Sequence, residues 1–528
     1  MSGTGHKESW TAHWRLFLAC GVMTLSPFQY GIDFGMIGGL QAMVGFLEIF
    51  GYQCAPPKCP TGWNLTPVRQ QLISSLMTLG AFLSSGFAGV AATKFGRRAC
   101  LGLACILCII ANIIMMTTTS IGALYVGRLL IGLANGYFMT FSQLYIQESS
   151  TAKYRGLFLT LFQFFTSFGT LIGTIVDWAT AKRPDKSSYL IPLGLIYVVP
   201  VFLLIGMFFI PESPRWLILQ DRYEEGVKSL TWLRPDGFDA SGEASGIQAA
   251  IDREKELSSG IGPLDMIKNP VDRRRTILAV CAVTLQAASG SMFIIAYKAY
   301  FFTMAKVANP FAMTNVLSCM GLIAIILNSL IIIKFGRRRV LLMTGLLCCG
   351  VLQLIIAIVY TKEPGTKSTG NVIVALSCLY LFSYNGMIAT YAWLAGGELP
   401  TQRLRSYTFG LAAAVGFFFA WLTTFTAPYF INPASLAWGP KYGYIWFPSC
   451  LIAAAWVFFF LPEVKNRTLE EIDEMFEARL PARKFKTYKC VGVLRDLDKE
   501  ARRSVEHEKE VQVLQSEKME AETAVAKE

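Results

Sequence analysis

Twelve apolar blocks of about 20 residues or more recur along the chain, at 16–38, 71–92, 99–118, 122–145, 156–178, 189–210, 276–302, 311–333, 340–360, 371–395, 407–431 and 441–461. Each is long enough to cross a hydrocarbon core ~30 Å thick as an α-helix, which takes ~20 residues. Lipid offers a backbone no hydrogen bonds, so segments this long must satisfy their own N–H and C=O groups as helices. A soluble chain of 528 residues would instead divide into several domains of roughly 100–200 residues with polar linkers. Only 16% of the residues are charged, against about a quarter in soluble domains. The expected fold is therefore all-α and polytopic. The first block is too long for a signal peptide and lacks a small-residue cleavage site, so it reads as a retained helix.

The blocks fall into two sets of six around a polar insertion. The expected organisation is a tail 1–15, a six-helix bundle 16–210, a helical linker 211–275, a second bundle 276–461 and a charged tail 462–528. The net charge of +12 does not form one basic face, as nucleic-acid binding would need. It sits in short loops: Lys94 with Arg97 and Arg98, Lys153 with Arg155, Arg273 to Arg275, Lys334 with Arg337 to Arg339, and Arg403 with Arg405. Lys and Arg concentrate on the cytoplasmic side, and these loops share one side if both termini are cytoplasmic. On that topology Cys54 and Cys59, in the stretch QCAPPKCP, lie outside as a candidate disulfide. The sequon Asn64-Leu65-Thr66 is a candidate glycosylation site on the same side. Most other cysteines lie within apolar blocks, where a thiol behaves as a small hydrophobe, and no metal spacing occurs.

The two halves repeat. Lys94-Phe95-Gly96-Arg97-Arg98 returns as Lys334-Phe335-Gly336-Arg337-Arg338 after the second span of each half. Glu148 precedes Arg155 by seven residues, as Glu398 precedes Arg405, and Pro211-Glu212 returns as Pro462-Glu463. A duplicated unit of this kind is how many secondary transporters build a central site that opens alternately to each side. Carboxylates and guanidiniums at cytoplasmic helix ends can form charge-assisted networks between neighbouring spans. The expected gate comprises Arg97, Arg98, Glu148, Arg155, Glu212, Arg215, Arg337, Arg338, Glu398, Arg405 and Glu463. The positive-inside rule alone would explain the arginines but not the two glutamates.

Together with Gly127-Arg128, Pro211-Glu212-Ser213-Pro214-Arg215-Trp216-Leu217, Gly397-Glu398-Leu399-Pro400 and Thr468-Leu469-Glu470-Glu471-Ile472, these residues resemble the sugar porter family of the major facilitator superfamily over about 16–476. The seventh span and the ELPTQRLRS segment look most like fungal permeases for hexoses, α-glucosides or lactose. The resemblance implies twelve helices in two pseudo-symmetric bundles. It also implies a monomeric carrier in the plasma membrane, driven by the proton gradient without a cofactor, and not an enzyme.

Ionisable residues inside apolar blocks are candidates for function. Asp33 lies deep in the first span, where a lone carboxylate is costly, and Arg128 opens the fourth. The resemblance pairs them, with Asp33 as proton site and Arg128 as counter-charge; a static structural pair is the alternative. Gln163, Gln286, Trp393 and Tyr30 match the family's sugar contacts, and Tyr297 matches an outer-gate position. A sugar needs amides for its hydroxyls and aromatics for its apolar faces. A buried glutamine can also merely link helices, and a tryptophan near a span end can anchor the interface.

This chain departs from the family pattern with Ala287 and Met292 in place of polar groups, an apolar eleventh span around Gly416–Phe419, and Thr93 and Ile333 where an acidic residue is usual. Lys298 in the seventh span is either a contact for an anionic group or a side chain snorkelling to the interface. The function expected is proton-coupled import of a sugar or sugar-like polyol. The rivals are a carrier of an organic acid, such as a quinate-like or sugar acid, or of a secondary metabolite, and a non-transporting nutrient sensor.

Overall fold

The computed structural model describes residues 10–54, 62–258, 262, 264–332, 337–401, 404–465, 467, 469–485, 487–488 and 490. Two compact units divide the chain, Met1–Phe458 and Phe459–Glu528. The first half of the larger unit contains α1 (Trp14–Leu40), α2 (Val44–Phe50), α3 (Pro67–Phe95), α4 (Arg97–Thr117), α5 (Ile121–Ser149), α6 (Ala152–Thr180), α7 (Ser187–Leu195) and α8 (Val198–Phe209). The insertion forms α9 (Pro214–Leu219), α10 (Tyr223–Leu233), α11 (Ala240–Ser258) and α12 (Asp265–Lys268). The second half follows as α13 (Pro270–Ala288), α14 (Ser291–Met304), α15 (Pro310–Leu327), α16 (Arg338–Lys362), α17 (Lys367–Tyr384), α18 (Thr390–Glu398), α19 (Arg405–Ile431) and α20 (Gly443–Phe460).

Ten stretches among the described residues are long and apolar enough to span a bilayer, and α1 with α2 makes an eleventh, bent by 76°. Helix α6, 29 residues long, occupies the expected fifth position. Helices α7 and α8 together form the sixth span, α13 and α14 the seventh, and α17 and α18 the tenth. Large apolar side chains such as Phe208 and Ile452 stand exposed around the bundle, as a lipid-facing belt requires.

Close crossing of α1 and α6 sets the frame of the first half. A Cβ on Gly31 would lie 2.0 Å from the Thr166 carbonyl oxygen, and one on Gly169 would lie 2.2 Å from that of Phe28. Only small residues allow such an approach between helices in a membrane. Asp33 is two residues from Gly31, about 200° around the helix, and so faces α5 on the far side.

The seventh span breaks at Ser289 and Gly290. Gly290 has φ +79, and a Cβ there would meet Trp446 at 2.7 Å, so glycine is required on both counts. The break frees carbonyls, and in lipid these need partners. Tyr380 Oη donates to the Ser289 carbonyl at 2.8 Å, and Ser449 Oγ donates to that of Ala288 at 2.8 Å.

In the insertion, Ile218, Leu230, Ala240, Ala244 and Ile251 pack into a small core. Arg234 clamps Glu243 through two bonds of 2.7 and 2.6 Å and donates to the Ser149 carbonyl at 2.9 Å, fastening this subdomain to the end of α5. After α2, the strands β1 (Tyr52–Gln53) and β2 (Trp63–Asn64) pair antiparallel, with Tyr52 opposite Asn64. Cys54 is disulfide-bonded; Cys59 lies outside the described residues. In the smaller unit α21 (Leu469–Glu477) packs Phe476 against Phe485 at 5.0 Å.

Hydrogen bonds between the two halves of the larger unit occur on the side opposite the Arg97-Arg98 loop. Asn432 Nδ2 donates to Gln70 Oε1 at 2.8 Å and to the Leu65 carbonyl at 3.0 Å, and Thr174 Oγ1 donates to Ser318 Oγ at 3.5 Å. These contacts close the bundle at that end.

Candidate functional site

Asp33 and Arg128 meet in the interior of the first half, each with 2% of its side chain exposed. Arg128 NH1 donates to Asp33 Oδ1 at 2.9 Å, Nε donates to the Ile73 carbonyl at 3.0 Å, and NH2 lies 3.1 Å from Met77 Sδ. The second carboxylate oxygen accepts from Asn135 Nδ2 at 2.9 Å. Sequence reasoning missed Asn135. The available signal was its spacing of seven residues, or two turns, from Arg128, which puts both on one face of α5. A carboxylate with two donors and a guanidinium with three partners can be buried; either alone would be costly.

The expected sugar contacts come from four helices. Tyr30, one turn before Asp33, is half-buried and stacks on Phe34 with centroids 5.7 Å apart. Gln163 in α6 is half-buried, and its amide has no hydrogen bond among the described residues. Gln286 in α13 donates from Nε2 to the Ala389 carbonyl at 2.7 Å. That acceptor ends a π turn, Asn385–Ala389, inside the tenth span; such turns disturb the regular i→i−4 ladder and frequently mark functional sites. Trp393 lies between α18 and α19, 6.1 Å from the rings of both Phe409 and Phe417. Tyr297 Oη donates to the Thr424 carbonyl at 2.8 Å, within the second half.

Charged contacts form at the loops of both halves. Arg97 NH2 contacts Glu148 Oε1 at 2.6 Å, and Ser213 Oγ donates to Glu148 Oε2 at 2.5 Å. Glu212 accepts from the backbone N–H groups of Arg97 at 3.2 Å and Arg98 at 3.0 Å. Burial lifts the Glu212 carboxyl above its ordinary range, opposed by the backbone donors of Ser213, Arg98 and Arg97. Arg98 NH2 donates to the Met207 carbonyl at 2.5 Å.

In the second half Arg338 pairs with Glu398, and Arg405 donates to the Gly397 carbonyl at 2.8 Å. Arg215 is half-buried in α9 and Arg337 is exposed. Glu463 belongs to the smaller unit, where Oε1 accepts from the Lys465 N–H at 3.2 Å. The side chains of Arg155, Thr93 and Ile333 lie outside the described residues. The Arg97–Glu148 pair lies within the first half and the Arg338–Glu398 pair within the second.

Lys298 does not snorkel in this conformation: it is 3% exposed and donates from Nζ to Ser318 Oγ at 2.9 Å. It also shares its surroundings with Asp177, an acidic residue of α6 that sequence reasoning passed over. Asn64 is 5% exposed, and its Oδ1 accepts from the Leu65 N–H at 2.9 Å.

A twelve-span bundle with a duplicated unit, a broken seventh span and a buried carboxylate–guanidinium pair defines a multi-pass membrane transporter of the major facilitator type. A profile of the family described as "Sugar (and other) transporter" matches residues 19–476, and the chain belongs to that family. A relative in Aspergillus rugulosus, "Major facilitator-type transporter ecdD", is 29% identical, with 92% of each chain covered. The low-affinity glucose transporter of Kluyveromyces lactis is 26% identical over 88% of this chain and 83% of its own length. The high glucose sensor RGT2 of Saccharomyces cerevisiae is 28% identical over 87% of this chain but 60% of its own length. In fold, the proton:xylose symporter XylE bound to 6-bromo-6-deoxy-D-glucose matches with a TM-score of 0.69 at 20% identity, over 88% of this chain and 99% of that one.

Proposed function

We propose that this protein imports a sugar or sugar-like polyol by alternating access, with one proton carried on Asp33. The observation that carries the reading is the buried Asp33–Arg128 pair, closed by Asn135 and lying one turn from Tyr30. In this reading Asp33 alternates between a protonated form and the Arg128-paired form as the cleft changes sides. Gln163, whose amide has no partner among the described residues, and Gln286, which donates from Nε2 to Ala389, meet substrate hydroxyls. Trp393 and Tyr30 supply apolar faces for the ring. The protein acts as a monomer in the plasma membrane with both termini cytoplasmic.

Membership of the sugar transporter family and the glucose-transporter relative support a sugar cargo. The organic-acid reading loses its motive where Lys298 is already engaged by Ser318 beside Asp177. The deciding experiment is uptake of a panel of labelled mono-, di- and acidic sugars in a transport-null cell, with and without a proton uncoupler. Uptake of a neutral sugar that the uncoupler abolishes is expected. Sugar binding without flux would instead favour a sensor, and uptake confined to acidic compounds would overturn the sugar reading.

A further inference from the structure

Asp33 and Arg128 lie within the first half, whereas a second pair of buried charges belongs to different halves. Asp177, near the end of α6, is 2% exposed, and among the described residues neither of its carboxylate oxygens has a hydrogen-bond partner. Lys298, in α14, is 3% exposed and anchored on Ser318 Oγ at 2.9 Å. Thr174, one turn before Asp177, donates to the same hydroxyl at 3.5 Å. Each charge lies in the electrostatic field of the other.

Helix α1 threads this cluster. A Cβ on Gly39 would sit against Asp177 Oδ2, and one on Gly38 would sit 2.7 Å from the Ala296 carbonyl oxygen and 3.8 Å from the Lys298 backbone nitrogen. The two adjacent glycines therefore let one helix pack on the carboxylate of α6 and on the backbone of α14 together. Asp177 lies 14 residues beyond Gln163 in the same helix. At 1.5 Å per residue that is about 21 Å from this expected sugar contact, at the end where Asn432 joins the halves to Gln70.

We propose that Asp177 and Lys298 form a charge lock at the gate opposite the arginine loops, holding that end closed only while both charges are present. The two groups make no direct ion pair among the described residues, but as buried opposite charges they offset one another, and removing one member leaves the other uncompensated. Opening the gate hydrates that charge, so the open state gains. Removing both charges restores the balance. The inference rests on the alternating-access reading above, but not on the identity of the cargo or on proton coupling.

The test reads gate opening directly in the full-length chain in proteoliposomes, without sugar. Ser74, buried beside Tyr297 where α3 meets α14, is changed as Ser74→Cys and labelled with a membrane-impermeant maleimide. Labelling of the parent chain is subtracted for the native cysteines. Asp177→Asn and Lys298→Met are each expected to speed labelling on the order of tenfold or more, and the double variant to return to within about threefold of the reporter alone.

Lys298→Arg keeps the charge and is expected to label as the reporter does. Should the single variants fail to fold, recovery of folded protein in the double variant supports the lock. Unchanged labelling in both single variants, additive effects in the double one, or a Lys298→Arg as open as Lys298→Met would overturn it. A reporter that stays unlabelled in every folded variant, while labelling fully once denatured, would overturn the alternating-access reading and the lock with it.

Discussion

Asp33→Asn separates coupled from uncoupled transport because the site can absorb it without collapsing. Asp33 Oδ1 accepts from Arg128 at 2.9 Å and Oδ2 from Asn135 Nδ2 at 2.9 Å. An asparagine keeps the first acceptor, and its amide nitrogen replaces the second. That nitrogen needs an acceptor, and Asn135 Oδ1 is buried with no partner among the described residues, so a flip of Asn135 supplies one. The Arg128 bond stays charge-assisted but loses its counter-charge, and removing one partner of a buried ion pair costs about 3–5 kcal/mol. The remaining hydrogen bonds hold the geometry, and a domain with about 5–15 kcal/mol of stability survives the loss when it starts above the lower end of that range.

The functional loss is separate from this cost. One proton entering down 100 mV supplies about 2.3 kcal/mol, and each pH unit of gradient adds about 1.4 kcal/mol. A coupled carrier can therefore sustain accumulation of a few hundredfold, roughly ten for every 1.4 kcal/mol. In proteoliposomes with an imposed potential and pH gradient, the parent chain is expected to accumulate labelled sugar. Asp33→Asn is expected to stop near an inside-to-outside ratio of one while retaining sugar-for-sugar exchange. Uncoupler-sensitive accumulation by Asp33→Asn would refute the assignment of the proton to this carboxylate. Loss of exchange as well would refute the claim that the flipped amide preserves the geometry.

Three further outcomes follow from the packing. Gln163→Leu removes an amide with no described partner, so its KM should rise about 2–10-fold, the value of one substrate hydrogen bond, with the melting temperature unchanged; an unaltered KM would remove Gln163 from the pocket. Gly290→Ala forces a Cβ into the left-handed region and against Trp446, at a cost of about 1–3 kcal/mol; thermal unfolding should show it, while Gly86→Ala, which meets nothing within 4 Å, should be neutral. Glu148→Gln breaks the 2.6 Å contact with Arg97 and weakens the bond from Ser213. Because these contacts lie away from the expected sugar contacts, the expected result is a melting temperature lower by a few degrees with KM unchanged, and an unchanged melting temperature would show them to be dispensable.

Twelve apolar blocks, the Lys-Phe-Gly-Arg-Arg repeat and the isolated charges Asp33 and Arg128 were all legible in the linear chain, because hydrophobic length, local charge clusters and internal duplication are local properties. Partnership is not local. Asn135 meets Asp33 from 102 residues away, Tyr380 satisfies the carbonyl freed at Ser289 from 91 residues away, and Asp177 and Lys298 come from opposite halves. Nothing in the composition of α6 distinguishes Asp177 from an interfacial aspartate, and Lys298 has the same flexible stem as a snorkelling lysine. The sequence alone thus determined that this chain crosses a bilayer many times as a duplicated bundle with a charge inside it. Only the tertiary structure decided which charges compensate which and where the seventh span breaks. A buried charge or a freed carbonyl must be matched by whatever group three-dimensional packing brings to it, and in a membrane the cost of leaving it unmatched selects that partner.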